Sequence, residues 1–109
     1  MDLKEIYQVY KEKFNDKKLP YIECNNCKYN FYYPRNICPK CGSHDIKINE
    51  SNGNGTIYSY TVMNKSIWAI VSLNEGFKMY MDIYGNNPEI NKKIKIIFKD
   101  SQLPCGEII

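Results

Sequence analysis

The hydrophobic and polar positions of this chain follow two different periods, one near its start and another in its second half. Near the start, apolar and aromatic side chains recur at the spacing of one helix face. The members of this stripe are Leu3, Ile6, Tyr7, Tyr10 and Phe14. Asp2 with Glu5 forms a capping pattern before the stripe, and Pro20 follows it. We therefore predict an amphipathic helix within residues 1–18.

A period of two residues replaces the helical period after the turn cluster Asn52–Gly55. Alternation predicts half-buried strands over three segments: Thr56–Met63, Phe77–Tyr84 and Lys93–Lys99. Between them, Ile67–Leu73 is apolar almost throughout, which predicts a strand buried on both faces. Four strands joined by short turns predict a small antiparallel barrel of OB-fold size over residues 51–109. Either strands of the preceding segment or the tail Leu103–Ile109 would complete it.

Two pairs of cysteines stand between the helix and the strands, each with two residues inside the pair. Such spacing lets one tight turn aim both sulfurs inward while backbone N–H groups hydrogen-bond the thiolates. Two facing turns then complete a tetrahedral site with four thiolate ligands. The predicted ligands are Cys24, Cys27, Cys38 and Cys41. Short extended pieces flank both pairs, so we predict a zinc ribbon over residues 19–50.

The metal predicted for this ribbon is a structural zinc ion. A segment of this size cannot bury enough apolar surface to fold unaided, so the ion takes the place of a core. Four thiolates also accept iron, and iron stays open as the rival ion. A full set of four cysteine ligands leaves no position for a reactive water, and His44 is then a surface residue rather than a ligand.

Composition indicates the size class of the protein, its cellular compartment and the partners that it disfavours. The chain has 109 residues, 43% hydrophobic and 25% charged, as expected for one ordinary soluble domain or two very small ones. Its longest apolar run, Ile67–Val71, is too short for a signal core or a membrane span, so we predict a cytoplasmic protein. A reducing compartment favours thiolate ligands over disulfides, and the odd fifth cysteine, Cys105, agrees. The net charge of +3, carried by scattered lysines, disfavours nucleic acid and anionic lipid.

No catalytic constellation is visible along the chain. It has no glycine-rich phosphate loop before a helix, no serine nucleophile motif and a single histidine. Glu75 and Asp82 are the carboxylates nearest the apolar strands, and we interpret them as a turn residue and a strand-face residue. The chain is therefore predicted not to be an enzyme.

Several segments go beyond a generic zinc finger and resemble the Domain of Unknown Function 35 (DUF35) family. These are Tyr33-Pro34-Arg35, Cys38–Asp45, the Gly-x-Gly then Tyr-Ser-Tyr-Thr strand Gly53–Val62, and Val71–Gly76. The resemblance covers nearly the whole chain and implies an N-terminal helix, a rubredoxin-like zinc ribbon and an OB-fold. It also implies a non-catalytic accessory protein of acyl-CoA enzymes, similar to one that bridges acetoacetyl-CoA thiolase and hydroxymethylglutaryl-CoA synthase and helps to hold CoA.

The resemblance gives the aromatic and basic residues around the second knuckle a possible role. Tyr32, Tyr33, Arg35 and Lys40 would lie beside CoA, since a guanidinium suits phosphate and a tyrosine face suits adenine. The stripe Leu3, Ile6, Tyr7, Tyr10 and Phe14 would dock on the catalytic partner. Two structural alternatives stay open: the tyrosines and the stripe can pack within the protein, and Arg35 can pair with an acid.

Single-stranded nucleic acid is the alternative partner. An OB barrel commonly stacks bases on aromatic side chains of its sheet. Four tyrosines are placed on predicted strands for this purpose: Tyr58, Tyr60, Tyr80 and Tyr84. The modest charge and the acidic residues among the lysines disfavour this reading.

Overall fold

The computed structural model describes residues 2–98 and 104–109, which form one helix and eight strands. In chain order, they are α1 (Leu3–Asn15), β1 (Pro20–Cys24), β2 (Asn30–Phe31), β3 (Ile46–Glu50), β4 (Asn54–Met63), β5 (Ser66–Leu73), β6 (Lys78–Tyr84), β7 (Lys93–Phe98) and β8 (Pro104–Ile108). The predicted fold class is confirmed: the protein is mainly β with an N-terminal helix, and a small sheet precedes a closed barrel. The three-part division at residues 18 and 50 stays a prediction.

Helix α1 begins at the predicted cap, where the Asp2 carboxylate accepts a 2.8 Å hydrogen bond from the Glu5 backbone N–H. The helix ends at Asn15, before the predicted limit at residue 18. Lys17 takes a left-handed backbone conformation with φ of 59°, which cannot continue an α-helix. Pro20 is instead the first residue of β1. No helix in the described part of the chain is both long and apolar enough to cross a membrane.

The first sheet has the strand order β2-β1-β3, and both pairings are antiparallel. Its strand β3 covers the whole predicted piece at residues 46–48, whereas β2 has only two residues. Helix α1 covers this sheet with Ile6 and Tyr10, which pack against Ile22, Phe31 and Ile46. So few buried side chains form a small core, as the sequence predicts for a segment stabilised by metal.

The barrel has the strand order β4-β5-β6-β8-β7 and closes between β7 and β4. All neighbouring pairs are antiparallel except β6 and β8, which are parallel. The C-terminal tail completes the barrel as β8, although Leu103 and Lys99 of the predicted segments lie outside the described residues. At Gly55, β4 pairs with both β5 and β7. A Cβ atom there would lie 2.7 Å from the Ser72 carbonyl oxygen, so this close approach requires glycine.

Strand β5 corrects the prediction of a strand buried on both faces. Ala69, Val71 and Leu73 lie in the barrel core, but Trp68, the residue before Ala69, is 46% exposed. In a barrel wall, alternate side chains point inward and outward, and no described element covers the outer side of β5 at Trp68. The apolar run therefore reflects a hydrophobic outer surface as well as the core.

Strand β4 departs from strict alternation, under which Tyr58 and Tyr60 would share one face. The pairing with β5 shifts between Ile57 and Ser59, which is the mark of a β-bulge. Beyond the bulge Tyr60 stands opposite Ala69, whose side chain lies in the barrel. Tyr60 remains 40% exposed because it lies past residues 54–56, the part of β4 that pairs with β7.

Tyr32 joins the two cores. Its ring packs against the core under α1 and against the barrel core. Ring centroids lie 5.9 Å away at Tyr10 and 6.3 Å away at Phe77, and Phe77 also stacks on Tyr21 at 4.9 Å. The Tyr10 hydroxyl donates a 2.5 Å hydrogen bond to the Tyr32 carbonyl oxygen. The first sheet and the barrel are thereby held in contact through aromatic side chains.

Glu75, in the turn between β5 and β6, also holds the first sheet and the barrel together. Its carboxylate accepts hydrogen bonds from the Ser51 hydroxyl at 2.8 Å and from the Asn52 backbone N–H at 2.9 Å. Its carbonyl oxygen accepts a 2.8 Å hydrogen bond from the Asn30 side chain. The residue predicted to be a turn residue thus ties the connection between the sheets to β2.

Tyr10 and Tyr32, the tyrosines at the contact between the first sheet and the barrel, should make the protein less stable at alkaline pH. Burial, and then the neighbouring Tyr32, raise the pKa of Tyr10 well above 10, and burial with Tyr33 raises the pKa of Tyr32 to about 12. The unfolded chain therefore releases these protons first. We expect the free energy of unfolding to be unaffected by these groups below pH 10 and to fall above it, by up to about 1.4 kcal/mol per pH unit for each group.

Urea unfolding between pH 8 and 11.5 measures this slope. Tyr10→Phe should flatten it and should lower stability by about 1 kcal/mol at neutral pH, because the hydroxyl bond to Tyr32 is lost. Tyr7→Phe, at a side chain that is 56% exposed, is the matched control and should change neither quantity. An unchanged alkaline slope in Tyr10→Phe would contradict the assignment.

Candidate metal centre and neighbouring surfaces

The two cysteine pairs form two turns of the same construction. Lys28 N–H donates to the Cys24 carbonyl oxygen, and Gly42 N–H donates to the Cys38 carbonyl oxygen, each at 2.9 Å. Lys28 and Gly42 directly follow the second cysteine of each pair and both have positive φ, 65° and 78°. This left-handed residue turns the chain away after each pair and leaves both sulfurs on the inner side of the turn.

The four sulfur atoms of Cys24, Cys27, Cys38 and Cys41 all lie within 4.8 Å of one another. Across the two turns, the Cys24–Cys41 and Cys27–Cys38 sulfurs are each 3.6 Å apart. Tetrahedral ligation at 2.3 Å per bond requires sulfurs about 3.8 Å apart. A disulfide would need about 2.05 Å. The arrangement therefore fits one four-coordinate metal ion.

Polar groups around the cluster act unevenly on the thiols. A backbone hydrogen bond from Ser43 and one from the Asn26 side chain lower the pKa of Cys41 to about 6. At Cys27 a backbone hydrogen bond from Tyr29 lowers the pKa, but burial and hydrogen bonds with the other three thiols outweigh it and raise the pKa to about 12. Four adjacent thiolates repel one another, so their joint ionisation requires a cation.

The cluster is a closed site. Cys24 and Cys38 are buried, Cys27 is half-buried, and Cys41 lies at the surface. Among residues 2–98 and 104–109, no second group of three or more cysteine, histidine or acidic side chains converges in this way. The exposed His44 is not part of the cluster, in line with its predicted surface role. Four sulfurs around one ion leave no ligand position for a substrate or a reactive water.

Comparison with known proteins shows what this site and the chain around it are similar to. Residues 14–46 match the model of the ChsH2 rubredoxin-like zinc ribbon domain. A DUF35 domain-containing scaffold protein of Methanocaldococcus jannaschii is 27% identical over 95 residues, covering 72% of this chain. A solved Ltp2-ChsH2(DUF35) aldolase is similar with a TM-score of 0.78 and 26% identity, over 93% of this chain and 92% of that one. These likenesses support the resemblance of this chain to the Domain of Unknown Function 35 family.

The coverage and the sequence identity of two DUF35 relatives limit what can be transferred from them to this chain. The matched region spans 65% of the length of the Methanocaldococcus jannaschii scaffold protein. A DUF35 protein of unknown function from Sulfolobus solfataricus has a TM-score of 0.76 at 19% identity, over 94% of this chain and 84% of that one. That likeness shows the fold alone.

The four residues predicted to lie beside CoA are separated by the structure into two kinds. Tyr32 is half-buried between the two cores, where it has a structural role, and its expected contact with CoA stays a prediction. Tyr33, Arg35 and Lys40 are exposed. The Tyr33 hydroxyl oxygen accepts a 3.1 Å hydrogen bond from the Tyr80 N–H, which fixes an exposed ring against β6. Lys40 lies 5.7 Å from the centroid of the Tyr29 ring.

The predicted docking stripe of α1 is divided in the same way. Ile6 and Tyr10 are almost fully buried in the core beneath the helix, and Phe14 packs against that core. These three side chains therefore pack within the protein itself, and docking of the stripe on a partner stays a prediction. Leu3 and Tyr7 are 40% and 56% exposed and stay candidates for partner contact.

Two features of the site region escaped sequence reasoning. The sequence predicts Trp68 in the interior and Asp82 on a strand face, but it does not reveal that β-sheet pairing sets the two residues directly opposite each other. Glu75 was assigned to a turn without its part in holding the junction. The sequence shows alternation within β6, but β5 is apolar almost throughout, and the register between the two strands is set only by their pairing.

Proposed function

We propose that this protein is a non-catalytic accessory subunit of an acyl-CoA enzyme complex of the thiolase or hydroxymethylglutaryl-CoA synthase type. It would bridge the catalytic subunits or help to hold CoA. The observation that carries the proposal is the closed four-sulfur cluster beside an exposed aromatic and basic surface. Such a cluster stabilises a recognition surface and offers no reactive ligand position. The cytoplasmic location stays a prediction.

The names of the relatives support an accessory role. One is a scaffold protein, and the other is an aldolase assembled from Ltp2 and a DUF35 domain of ChsH2. Aldolases, thiolases and hydroxymethylglutaryl-CoA synthases all make or break carbon–carbon bonds next to a carbonyl group. A partner from this class of acyl-CoA chemistry is therefore the one we propose for this chain.

We propose zinc as the bound metal, with Cys24, Cys27, Cys38 and Cys41 as its ligands. Zinc has no redox chemistry and no geometric preference against a tetrahedron of thiolates, so it supplies rigidity here and no catalytic step. The zinc would fix the second turn, which carries Lys40, relative to β1 and α1. Iron remains the rival ion for the same four ligands.

CoA would contact the exposed members of the predicted set. Arg35 makes no hydrogen bond or ion pair with any described residue, so its guanidinium is available to a phosphate group. The Tyr33 ring, held by its hydroxyl on β6, offers a fixed face for adenine. Lys40 adds a second positive charge on the same segment. Because these side chains are at the surface, a catalytic partner would have to close the CoA site from the other side.

Affinity capture tests the accessory role. We expect the tagged wild-type protein to retain an acyl-CoA enzyme of the thiolase or synthase type from native lysate, identified by mass spectrometry. Cys38→Ser should lose that partner, and Cys105→Ser, at a cysteine outside the cluster, should keep it. Recovery of no acyl-CoA enzyme with the wild-type protein would overturn the proposal.

CoA binding is tested on the captured complex by titration with acetyl-CoA. Arg35→Ala should weaken binding three- to tenfold, about what one exposed charge-assisted hydrogen bond contributes. Lys11→Ala, on an exposed position of α1, is the matched loss of a positive charge and should have no effect. Equal affinities of Arg35→Ala and wild type would remove Arg35 from the site.

Single-stranded nucleic acid remains the second candidate, and one observation favours it. Tyr58, Tyr60, Tyr80 and Tyr84 are between 40% and 63% exposed on barrel strands. Titration with oligothymidylate separates the candidates, because single-stranded binding would be tight through stacking on these rings and would be weakened by salt through its phosphate contacts. Such binding, without any acyl-CoA enzyme in the capture, would favour this second function.

A further inference from the structure

The outer side of β5 and β6 carries an aromatic surface built around one carboxylate. Trp68 stands directly opposite Asp82 in the β5–β6 ladder, so both side chains lie on the same face. Tyr80 and Tyr84 flank Asp82 at two positions on either side along β6 and share that face. Trp68, Tyr80 and Tyr84 are 46%, 63% and 41% exposed. We name these four residues the Asp82 surface.

The Asp82 surface forms one wall of a cleft of about 360 Å³ between the first sheet and the barrel. Tyr33 also lines this cleft, and its hydroxyl oxygen accepts a hydrogen bond from the Tyr80 N–H. A second depression of about 180 Å³ adjoins the cleft, and Trp68 and Tyr80 line both. Two adjoining depressions that share aromatic walls can receive neighbouring side chains of one partner.

The charge of Asp82 is not neutralised within the described residues. No side chain in residues 2–98 or 104–109 forms an ion pair or a hydrogen bond with its carboxylate. The lysine on the same face of β6, Lys78, instead lies over the Tyr58 ring, 4.9 Å from its centroid. Asp82 is half-buried, and its neighbours on this face are aromatic side chains, so a cation from a partner would be its first charged neighbour among the described residues.

We propose that the Asp82 surface binds an arginine side chain presented by a protein partner. A guanidinium can stack on Trp68 or a flanking tyrosine while donating paired hydrogen bonds to the Asp82 carboxylate. Tryptophan and tyrosine are also the side chains that most often dominate protein interfaces. A phosphate backbone is disfavoured here because Asp82 would repel it. The surface can act in this way whichever enzyme the protein accompanies.

A pair of capped pentapeptides tests the proposal on the metal-loaded full chain. In one peptide an arginine stands between two leucines. The other peptide is identical except that citrulline takes the place of the arginine, so a neutral group of nearly the same shape replaces the guanidinium. Binding is followed by the fluorescence of Trp68, the one tryptophan of the chain, and by backbone amide NMR shifts. We expect the arginine peptide to bind about tenfold more tightly, from the combined cation–π and ion-pair contributions.

Asp82→Asn should reduce this preference to about threefold, because the aromatic contacts remain and the ion pair is lost. Glu12→Gln, at an exposed position of α1, should leave the tenfold preference intact. Equal binding of the two peptides, or amide shifts that avoid β5 and β6, would overturn the proposal. So would salt-sensitive oligothymidylate binding at Trp68, or a wild-type dimer that Trp68→Ala converts to a monomer. The titration needs no catalytic partner, so its failure is distinct from a failed capture of an acyl-CoA enzyme.

Discussion

Cys38→Ser should abolish metal binding and unfold the first sheet with its helix. The Cys38 sulfur is 3.6 Å from that of Cys27 and is buried, so a serine hydroxyl would place a poor zinc ligand where thiolate is needed. Structural zinc contributes about 10–16 kcal/mol in small metal-dependent folds. The small core between α1 and the first sheet has only five buried side chains, which cannot replace a contribution of that size.

Elemental analysis and unfolding followed by two probes check this expectation. Wild-type protein should carry one zinc per chain. Cys38→Ser should carry none, and on heating its helical circular dichroism signal should already be lost before room temperature is reached. Trp68 fluorescence should report a barrel that persists longer, because most of the buried side chains of its core come from barrel strands β4 to β7. Cys105→Ser, in the barrel, should keep both metal and helix. A Cys38→Ser protein with one zinc and an unchanged melting temperature would refute the assignment, and iron in place of zinc would correct only the ion.

Tyr32→Ala should have the second largest effect, because it removes the ring that joins the two cores. Large aromatic side chains cost about 3–5 kcal/mol when truncated in a core, and the half-buried Tyr32 should lie near the lower value. Its loss leaves Tyr10 and Phe77 without their shared neighbour. We therefore expect the variant to lose stability by about 3 kcal/mol and also to lose the coupling between sheet and barrel.

Urea unfolding observed with a zinc-release dye and with Trp68 fluorescence measures the coupling. The two transitions should coincide in the wild type and separate in Tyr32→Ala, with metal released at the lower urea concentration. Tyr7→Ala, which truncates an exposed tyrosine on α1, should change stability by no more than about 0.5 kcal/mol. Coincident transitions in Tyr32→Ala would show that other contacts, such as those of Glu75, are sufficient for the coupling.

The sequence was a good guide wherever a local rule was decisive. The spacing of the two cysteine pairs is short enough that each turn sets its own geometry, and the sulfurs converge as predicted. The helix cap at Asp2 and the turn at Asn74–Gly76 likewise depend on neighbours a few residues away. Alternation located the strands β4, β6 and β7 to within a few residues of their observed bounds.

The sequence was a poor guide where distant segments decide which side of an element is covered. Periodicity grouped Ile6, Tyr7, Tyr10 and Phe14 on one helix face, yet only packing on the first sheet shows that Tyr7 stays exposed. The apolar run in β5 predicted burial on both faces, but a small barrel has only one interior. The bulge in β4 moved Tyr60 to the opposite face from Tyr58, because one unpaired residue shifts every later side chain.

By itself the sequence determined the four-cysteine cluster, the helix, the positions of the main strands along the chain and the resemblance to the DUF35 family. These follow from spacing and alternation, which are properties of neighbouring residues. Only the tertiary structure decided that Tyr32 joins the two cores, that Tyr33 is held on β6, and that Trp68 faces Asp82. Each of those contacts joins residues that are distant along the chain, so strand register and sheet closure fix them rather than any local pattern.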